Sequence, residues 1–468
     1  MVSGWRLRHP ETVKDTTNLS REELLEILRQ QQREIERLKN ENERLKRKLS
    51  AAPFAKGTHK KNPKRPGRKP GQGPFARRPP PPAGSPAERV RVPVQETCCP
   101  YCGGPFDAGE EEQVSNTDVP RQPPPEVQVF LVEKRRCQKC GKTVRGRHPD
   151  VAANQYGATA HRVGARAKAV MHTLHYGVGV PQRKVPQVMK ELSGLKITQG
   201  ALSQDAQKQT AGAVGVAYQR LRAEIPQAPV VHTDDTGWRV GGEAAQLMVF
   251  TTPQTTVYQV RPQHRNEEVR EVIGDDFQGQ LVCDRGKNYD AEELDRVRQQ
   301  KCFSHLIRNT QEVEARQRGR ALQFPRQLRE LLRRGLRLAR RRSELDDPAF
   351  QQQVADLDQA LDDLLLDRTL RNRDNQRLLD GIGAEQDRNN LLRFLRDPQV
   401  EPTNNRAERA LRPAVIRRKV SHCSKTEPGA RAFEAFLSVI QTYKQQSPAS
   451  VSQQLFNLFS SSGPAPPS

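Results

Sequence analysis

No stretch of this chain approaches the ~20 consecutive apolar residues that a membrane-crossing helix needs. The opening residues, MVSGWRLRHPE, also lack the apolar segment of a secretory signal. Both absences argue against a membrane or exported protein and for a cytoplasmic one, associated with the nucleoid if its partner is DNA. Acids are the scarce charge: 55 Asp and Glu stand against 78 Lys and Arg, for a net charge of +23. A surplus of that size points to a polyphosphate partner, most simply nucleic acid, with a merely soluble basic protein as the plainer alternative. The eight cysteines are not spread like a disulfide framework. Four of them form two CxxC pairs, which in a reducing compartment favours metal. At 468 residues the chain is too long for one ordinary core, so two or more domains are expected.

Residues 19–50 read as one helix with a seven-residue repeat. Leu28, Ile35, Asn42 and Leu49 share one core position, and Leu24, Gln31, Leu38 and Leu45 share the other. An Asn at an aliphatic position specifies register in parallel pairs, so a coiled coil making a homodimer is expected; a solvated helix is the alternative. Residues 53–92 hold ten prolines and eleven Lys or Arg against a single acid, Glu88. Such a linker cannot bury a core. Within it KRPGRKPG places Arg65, Arg68 and Lys69 on an extended basic strip that can lie in a minor groove, or simply be solvated.

A small module comes next at 93–150. Cys99 and Cys102 precede Cys137 and Cys140 by 34 intervening residues, each pair in a Gly-containing turn. Four thiolates spaced this way suit a closed, structural Zn²⁺. Val127 to Val132 reads as a strand between them, and Cys98 as a bystander. Residues 160–222 are helical. Pro181 to Leu192 makes a first helix, Ser193 and Gly194 a turn, and Thr198 the N-cap of a second helix running to Lys208, a helix-turn-helix pattern.

From 226 to 445 the periodicity changes to that of a mixed α/β sheet. Val230 to His232 is a short apolar run ending at Thr233 and Asp234. Gln246 to Thr252 and Thr255 to Val260 read as a hairpin, and Gln280 to Cys283 as a further strand ending at Asp284. Asn288 to Gln300 reads as helix. Residues 306–400 read as a helical insertion whose apolar face is marked by Leu328, Leu331, Leu332, Leu336 and Leu338. Ala430 to Phe459 reads as one or two amphipathic helices, and a Ser/Pro-rich end closes the C-terminal tail, 446–468.

Three acids stand out by context. Asp234 and Asp284 sit at strand ends, and Glu408 opens a helix that Asn404 or Asn405 can cap. Carboxylates so placed can share two Mg²⁺ ions, the arrangement that supports phosphodiester transfer. Around Glu408, Arg406, Arg409, Arg412, Arg417, Arg418 and Lys419 offset the repulsion between acids and a DNA backbone. Singly, each acid also has a plain reading as a turn or helix-end residue. Pro413 predicts a kink or restart in the helix, because a proline inside a helix costs about 3 kcal/mol. Cys302 and His305 form a Cys-x2-His element that could hold a metal together with His422 or Cys423, or serve packing alone.

TNNRAERALRP, around Glu408, closely resembles the signature of the catalytic Glu in the insertion-sequence 66 family of bacterial transposases. HTDDTGWRV and LVCDRGKNYDA resemble that family's two Asp motifs, and KCFSHL a Cys-x2-His element that several related transposase families carry. The order of parts is similar along nearly the whole chain. The resemblance implies a ribonuclease-H-like catalytic domain with the triad Asp234, Asp284 and Glu408. Asp234 is preferred to Asp235, which takes a place often held by Glu. The resemblance also implies a DNA transposase that binds the terminal inverted repeats of its element. It would cleave and join strands with Mg²⁺, and accessory proteins of the same element are further candidate partners. The rival is a non-catalytic, zinc-containing DNA-binding regulator or a domesticated transposase.

Overall fold

The computed structural model describes residues 20–50, 92, 94–95, 97–107, 125–148 and 163–461. The basic linker with Arg65, Arg68 and Lys69, and the Ser/Pro-rich end beyond 461, lie outside the described residues. The chain divides into two units, Met1–Pro120 and Arg121–Ser468. Among the described residues no helix is long and apolar enough to cross a membrane.

The first unit contains α1 (Arg21–Ser50), the helix expected from the heptads. Its short-range ion pairs, such as Arg37 with Glu34 at 2.7 Å, are solvent-exposed and contribute little. Leu28, Ile35 and Leu38, all from the heptad core positions, remain more than half exposed. Further on, the first CxxC pair forms a tight knuckle. The Gly103 N–H donates to the Cys99 carbonyl at 2.8 Å and the Cys99 N–H to the Gly104 carbonyl at 2.9 Å. Gly103 sits at φ +72°, a left-handed geometry that glycine adopts without a Cβ penalty.

The second unit opens with β1 (Lys134–Arg136) and β2 (Thr143–Arg145), an antiparallel hairpin. The strand expected at Val127 to Val132 is absent there. Val127, Val129 and Leu131 are largely exposed, so the apolar alternation has no face to bury against, and the knuckle turn sets the pairing instead. Next come α2 (Ala165–His172), which runs into a wider π-turn at Thr173–Val178, then α3 (Val185–Ser193), α4 (Gln199–Ala211) and α5 (Ala213–Glu224). Gly194, at φ +67°, ends α3. The Thr198 side chain caps α4 by accepting from the Ala201 N–H at 3.1 Å. Met171, Val185, Met189 and Leu202 pack together beneath these helices.

The sheet is built from β3 (Val230–Val240), β4 (Glu243–Thr251), β5 (Thr256–Arg261), β6 (Gln280–Cys283) and β7 (Arg298–Lys301), with α6 (Asn266–Ile273) leading into β6. The strand order is β5-β4-β3-β6-β7. β3, β4 and β5 are antiparallel, whereas β3, β6 and β7 run parallel. Two expectations change here. β3 runs on through the acids to Val240, because β4 pairs with it from His232 to Val240. The segment expected to be helical up to Gln300 instead ends in β7, a strand of sequence RQQK. Its buried polar groups are satisfied internally: Gln299 donates to the Tyr289 carbonyl at 2.7 Å, and Gln300 to that of Leu391 at 2.9 Å. The fully buried Lys301 ammonium donates to Asp290 at 2.8 Å and lies 3.4 Å from Glu385.

Helices fill both sides of the sheet. α7 (Phe303–Glu314), α8 (Gln323–Arg340), α9 (Asp347–Leu365), α10 (Arg373–Asp387) and α11 (Arg393–Arg396) form one group. Their core of Phe303, Leu306, Leu328, Leu332, Leu357 and Phe394 reaches Val230 and Val282 of the sheet. α12 (Asn405–Ser421), α13 (Glu427–Gln446) and α14 (Val451–Ser461) join the other core, which holds Val231, Leu281 and Cys283. The period-two alternation of a strand thus sends Val230 and Val282 to one core and Val231 and Leu281 to the other.

α13 is buried along most of its length rather than half solvated, and it closes the edge of the sheet. Glu434, Ser438 and Thr442, four residues apart on one helical face, accept from the N–H groups of Val260 (2.7 Å), Tyr258 (2.8 Å) and Thr256 (3.0 Å). The outer hydrogen-bonding row of β5 therefore meets a helix instead of another chain.

Candidate active site

Parallel pairing aligns Val230 with Gln280 and His232 with Val282. The offset is 50 residues, the spacing of Asp234 and Asp284. Each Asp lies two residues beyond the His232–Val282 pair, on the face shared by Val230 and Val282. Asp234 on β3 and Asp284, one residue past the end of β6, consequently lie close enough for the charge of one to act on the other. The geometry around Asp284 depends on a glycine. The Gly286 N–H donates to Asp284 Oδ1 at 2.9 Å, and a Cβ at 286 would come within 2.5 Å of Asn288 Oδ1 and 3.1 Å of Asp284 Oδ1.

The third acid is carried by α12. Asn404 occupies the N-cap position, but its side chain makes no cap bond, contrary to the sequence expectation. It is fully buried and turned toward the sheet, donating to the Thr233 carbonyl at 2.6 Å. Its Oδ1 lies 3.3 Å from His232 Nδ1, and its backbone N–H donates to Cys302 Sγ at 3.2 Å. Glu408 comes one turn later, half-exposed, with Oε1 4.0 Å from His305 Nδ1. Cys302, His305 and Glu408 present ligand atoms that all lie within 4.8 Å of one another. Glu408, and neither His422 nor Cys423, completes this group among the described residues.

The electrostatics describe a crowded set of acids. Burial, and then the charges of Asp284 and Asp235, push the Asp234 carboxyl up to about 7, against the opposing hydrogen bond it accepts from the Asp235 N–H at 2.9 Å. Interaction with the Cys302 sulfur, outweighing burial, raises His305, and the nearby Asp284 charge adds to this. Burial opposes ionisation of Cys302, but His305 and the Asn404 N–H together hold its thiol below the ordinary value. Among the described residues no Lys or Arg pairs with Asp234, Asp284 or Glu408. Asp234 and Asp284 offer hard oxygen ligands that suit a divalent metal such as Mg²⁺, but among the described residues the oxygens of Asp234, Asp284 and Glu408 do not gather within the 4.8 Å that joins Cys302, His305 and Glu408.

The arginines of α12 divide into two groups. Arg406 is bound to Glu401 at 2.7 Å. Arg417 turns inward, donating to His175 Nε2 at 2.8 Å and lying over the Phe433 ring. Arg418 donates to Thr236 Oγ1 at 2.8 Å and to the Gly237 carbonyl, pinning β3. Arg409, Arg412 and Lys419 are exposed. Thus Arg406, Arg417 and Arg418 are engaged by the protein, while Arg409, Arg412 and Lys419 face outward. α12 is continuous through Pro413, with no restart. A proline there removes one helical donor, and near the gap the Ala410 carbonyl accepts from the buried Tyr258 hydroxyl at 2.5 Å.

Sequence reasoning missed several residues beside the acids. His264 Nδ1 lies 3.2 Å from Asp235 Oδ1, and its Nε2 lies 2.9 Å from the Asn288 amide nitrogen, so it joins the two Asp motifs. Its place in a loop after β5 left no periodic signal. The second CxxC pair repeats the knuckle of the first, with the Gly141 N–H donating to the Cys137 carbonyl at 2.9 Å and the Cys137 N–H to that of Lys142 at 2.8 Å. Backbone donors hold the half-buried Cys99 and the exposed Cys137 thiols below their ordinary value, from Tyr101 and Cys102 for the first and from Cys140 and Lys139 for the second.

A family model described as "Transposase IS66 family" matches residues 161–432, more than half of the chain. The match spans Asp234, Asp284, Glu408, the Cys302–His305 pair and both helices flanking Gly194. No curated protein matches. The chain belongs to the IS66 family of transposases.

Proposed function

We propose that the protein is a DNA transposase of the DDE type, which binds the terminal repeats of its element and cleaves and joins DNA strands with Mg²⁺. The observation that carries this reading is the parallel register of β3 and β6, which ends at His232 and Val282, two residues before Asp234 and Asp284, and so supports a shared site for the two acids. The latch at Asn404 supports it by tying the Glu408 helix to the same strand. The five-strand order, three antiparallel and two parallel with acids on the central pair, supports a ribonuclease-H-like catalytic domain.

Asp234, Asp284 and Glu408 would hold two Mg²⁺, with His305 and Asn404 setting the approach of α7 and α12. Bound there, the ions would activate the attacking oxygen and stabilise the leaving one. Arg409, Arg412 and Lys419 provide outward positive charge beside the acids to hold a phosphate backbone, with Arg406, Arg417 and Arg418 fixing the helix that carries them. The capped α4 suits major-groove reading. The exposed Leu28, Ile35 and Leu38 suit pairing of two copies through α1. The knuckles of Cys99 with Cys102 and Cys137 with Cys140 each offer two thiolates, half of what a structural Zn²⁺ takes. Arg65, Arg68 and Lys69 would add minor-groove contacts, and accessory proteins of the same element would act alongside.

The test is to select DNA ends bound by the full chain and assay them with Mg²⁺. Asp234→Asn, Asp284→Asn and Glu408→Gln should each keep binding and lose cleavage and strand transfer. Cleavage retained by any of the three would overturn the assignment. Binding without cleavage by the unmodified protein would favour the regulator.

A further inference from the structure

We propose that Cys302, His305 and Glu408 form a second metal site, for a soft divalent cation of the Zn²⁺ class, which borrows Glu408 from the hard-cation site. The consequence for activity rests on the reading of Glu408 as a Mg²⁺ ligand; the binding itself does not.

The ligand set is chemically distinct from the neighbouring acids. A thiolate, an imidazole and one carboxylate select Zn²⁺ or Co²⁺ and are poorly matched to Mg²⁺, which demands oxygen. His305 Nδ1 has no hydrogen-bond partner in the protein, though it lies buried and faces Glu408 at 4.0 Å. A buried polar nitrogen without a partner is costly and calls for an explanation. A cation between the two residues supplies one. Zinc bonds of about 2.0–2.3 Å set ligands roughly 3.3–3.8 Å apart. The separations of up to 4.8 Å need only a small inward rotation, which the half-exposed Glu408 can make.

The surroundings are those of a supported ligand shell. Cys302 sits at the N-cap of α7, where the helix terminus favours a thiolate. Its sulfur already accepts from the Asn404 N–H at 3.2 Å, leaving its other lone pairs for a cation. Asn404 is thereby an outer partner of both sites, since its side chain also holds β3. Three protein ligands leave a fourth position open on the side where His305 and Glu408 reach solvent. With the soft cation bound, Glu408 turns toward Cys302 and His305 and is withdrawn from Asp234 and Asp284. The two sites therefore exclude each other, and Zn²⁺ would silence the Mg²⁺-dependent reaction.

Co²⁺ titration of the full-length protein, followed by thiolate-to-metal absorption, measures the binding directly. Relative to the unmodified chain, Cys302→Ser and His305→Gln should each lose one equivalent of uptake. The knuckle cysteines are common to all three proteins and cancel. Equal uptake in all three overturns the proposal, and if Cys302→Ser fails to fold, His305→Gln carries the comparison alone. In the cleavage assay, Zn²⁺ should slow the unmodified protein by roughly tenfold or more relative to its own Zn²⁺-free rate, reflecting the preference of soft ligands for Zn²⁺. The variants should be slowed far less. If no cleavage is seen at all, the transposase reading fails while the Co²⁺ comparison still decides this one.

Discussion

The side-chain amide of Asn404 donates to the carbonyl oxygen of Thr233 at 2.6 Å, joining the helix of the third acid to the strand of the first, one residue before Asp234. The same residue faces His232 and donates its backbone N–H to Cys302 Sγ. One fully buried residue therefore sets the relative positions of β3, α7 and α12. In sequence Asn404 or Asn405 reads as a helix cap; Asn404 instead holds three elements around one point.

Asn404→Ala should consequently act on both stability and activity. Leaving the Thr233 carbonyl and the His232 ring without this partner should cost about 1–3 kcal/mol. That loss would appear as a lower urea midpoint with an unchanged slope. Cleavage should fall more than DNA binding, because the register of Glu408 against the sheet is loosened. Asn404→Asp should be worse than Asn404→Ala, since a carboxylate cannot donate to Thr233 and adds a negative charge beside Asp234. Equal loss of binding and cleavage would show that Asn404 is a packing residue only.

The edge-covering helix gives a second expectation. Ser438 Oγ accepts from the Tyr258 N–H at 2.8 Å and donates to the Glu434 carbonyl at 2.6 Å, wholly buried. Ser438→Ala leaves the Tyr258 N–H without its acceptor, at a cost of roughly 1–3 kcal/mol. Ser438→Thr keeps the hydroxyl and should retain most of the stability, less any strain from one extra methyl group. Amide exchange at Tyr258 should accelerate in Ser438→Ala and remain slow in Ser438→Thr. Unchanged protection would mean that water or β5 itself satisfies the group.

These residues also show where the sequence was legible. Apolar runs at Val230–Val231 and Leu281–Val282 announced the central strands, and the acids following them stood out by their place at the strand ends and by their resemblance to the family's Asp motifs. Thr198 and Gly194 announced the ends of α4 and α3 because capping chemistry is local. What stayed hidden was polar and long-range. β7 is three buried polar residues and an Arg, stabilised by partners up to 94 residues away, so no hydrophobic period marks it. The Glu434, Ser438 and Thr442 series reads as the polar face of an amphipathic helix until β5 is placed beneath it. The arginines of α12 look equivalent in sequence, yet His175 and Phe433 claim Arg417, while Arg412 is left outside. Proline at 413 predicted a break on local grounds, and packing of the Ala407, Leu411 and Ala414 face overrode it.

The contact between Arg417 and His175 carries the last prediction. His175 is 2 % exposed. Its Nδ1 donates to the Val180 carbonyl at 2.9 Å, leaving Nε2 to accept from Arg417 at 2.8 Å. The ring must therefore be neutral. Burial, and then the Arg417 charge, hold its pKa down to about 3, from 6.5 for a free histidine. Because the folded value is depressed, the unfolded chain binds the extra proton first. Stability from this residue is whole above pH 6.5 and is lost as the pH falls toward 3, by up to about 1.4 kcal/mol per pH unit. Arg417→Gln keeps a donor for Nε2 but removes the charge, so His175 should titrate nearer its ordinary value and the acid loss should be shallower. At neutral pH the variant should be the less stable protein, having lost the Phe433 contact and the stronger donor. As the pH is lowered from 7 toward 3, urea unfolding should show the two stabilities converging; a gap that stays constant over that range would mean that Arg417 does not govern the proton affinity of His175.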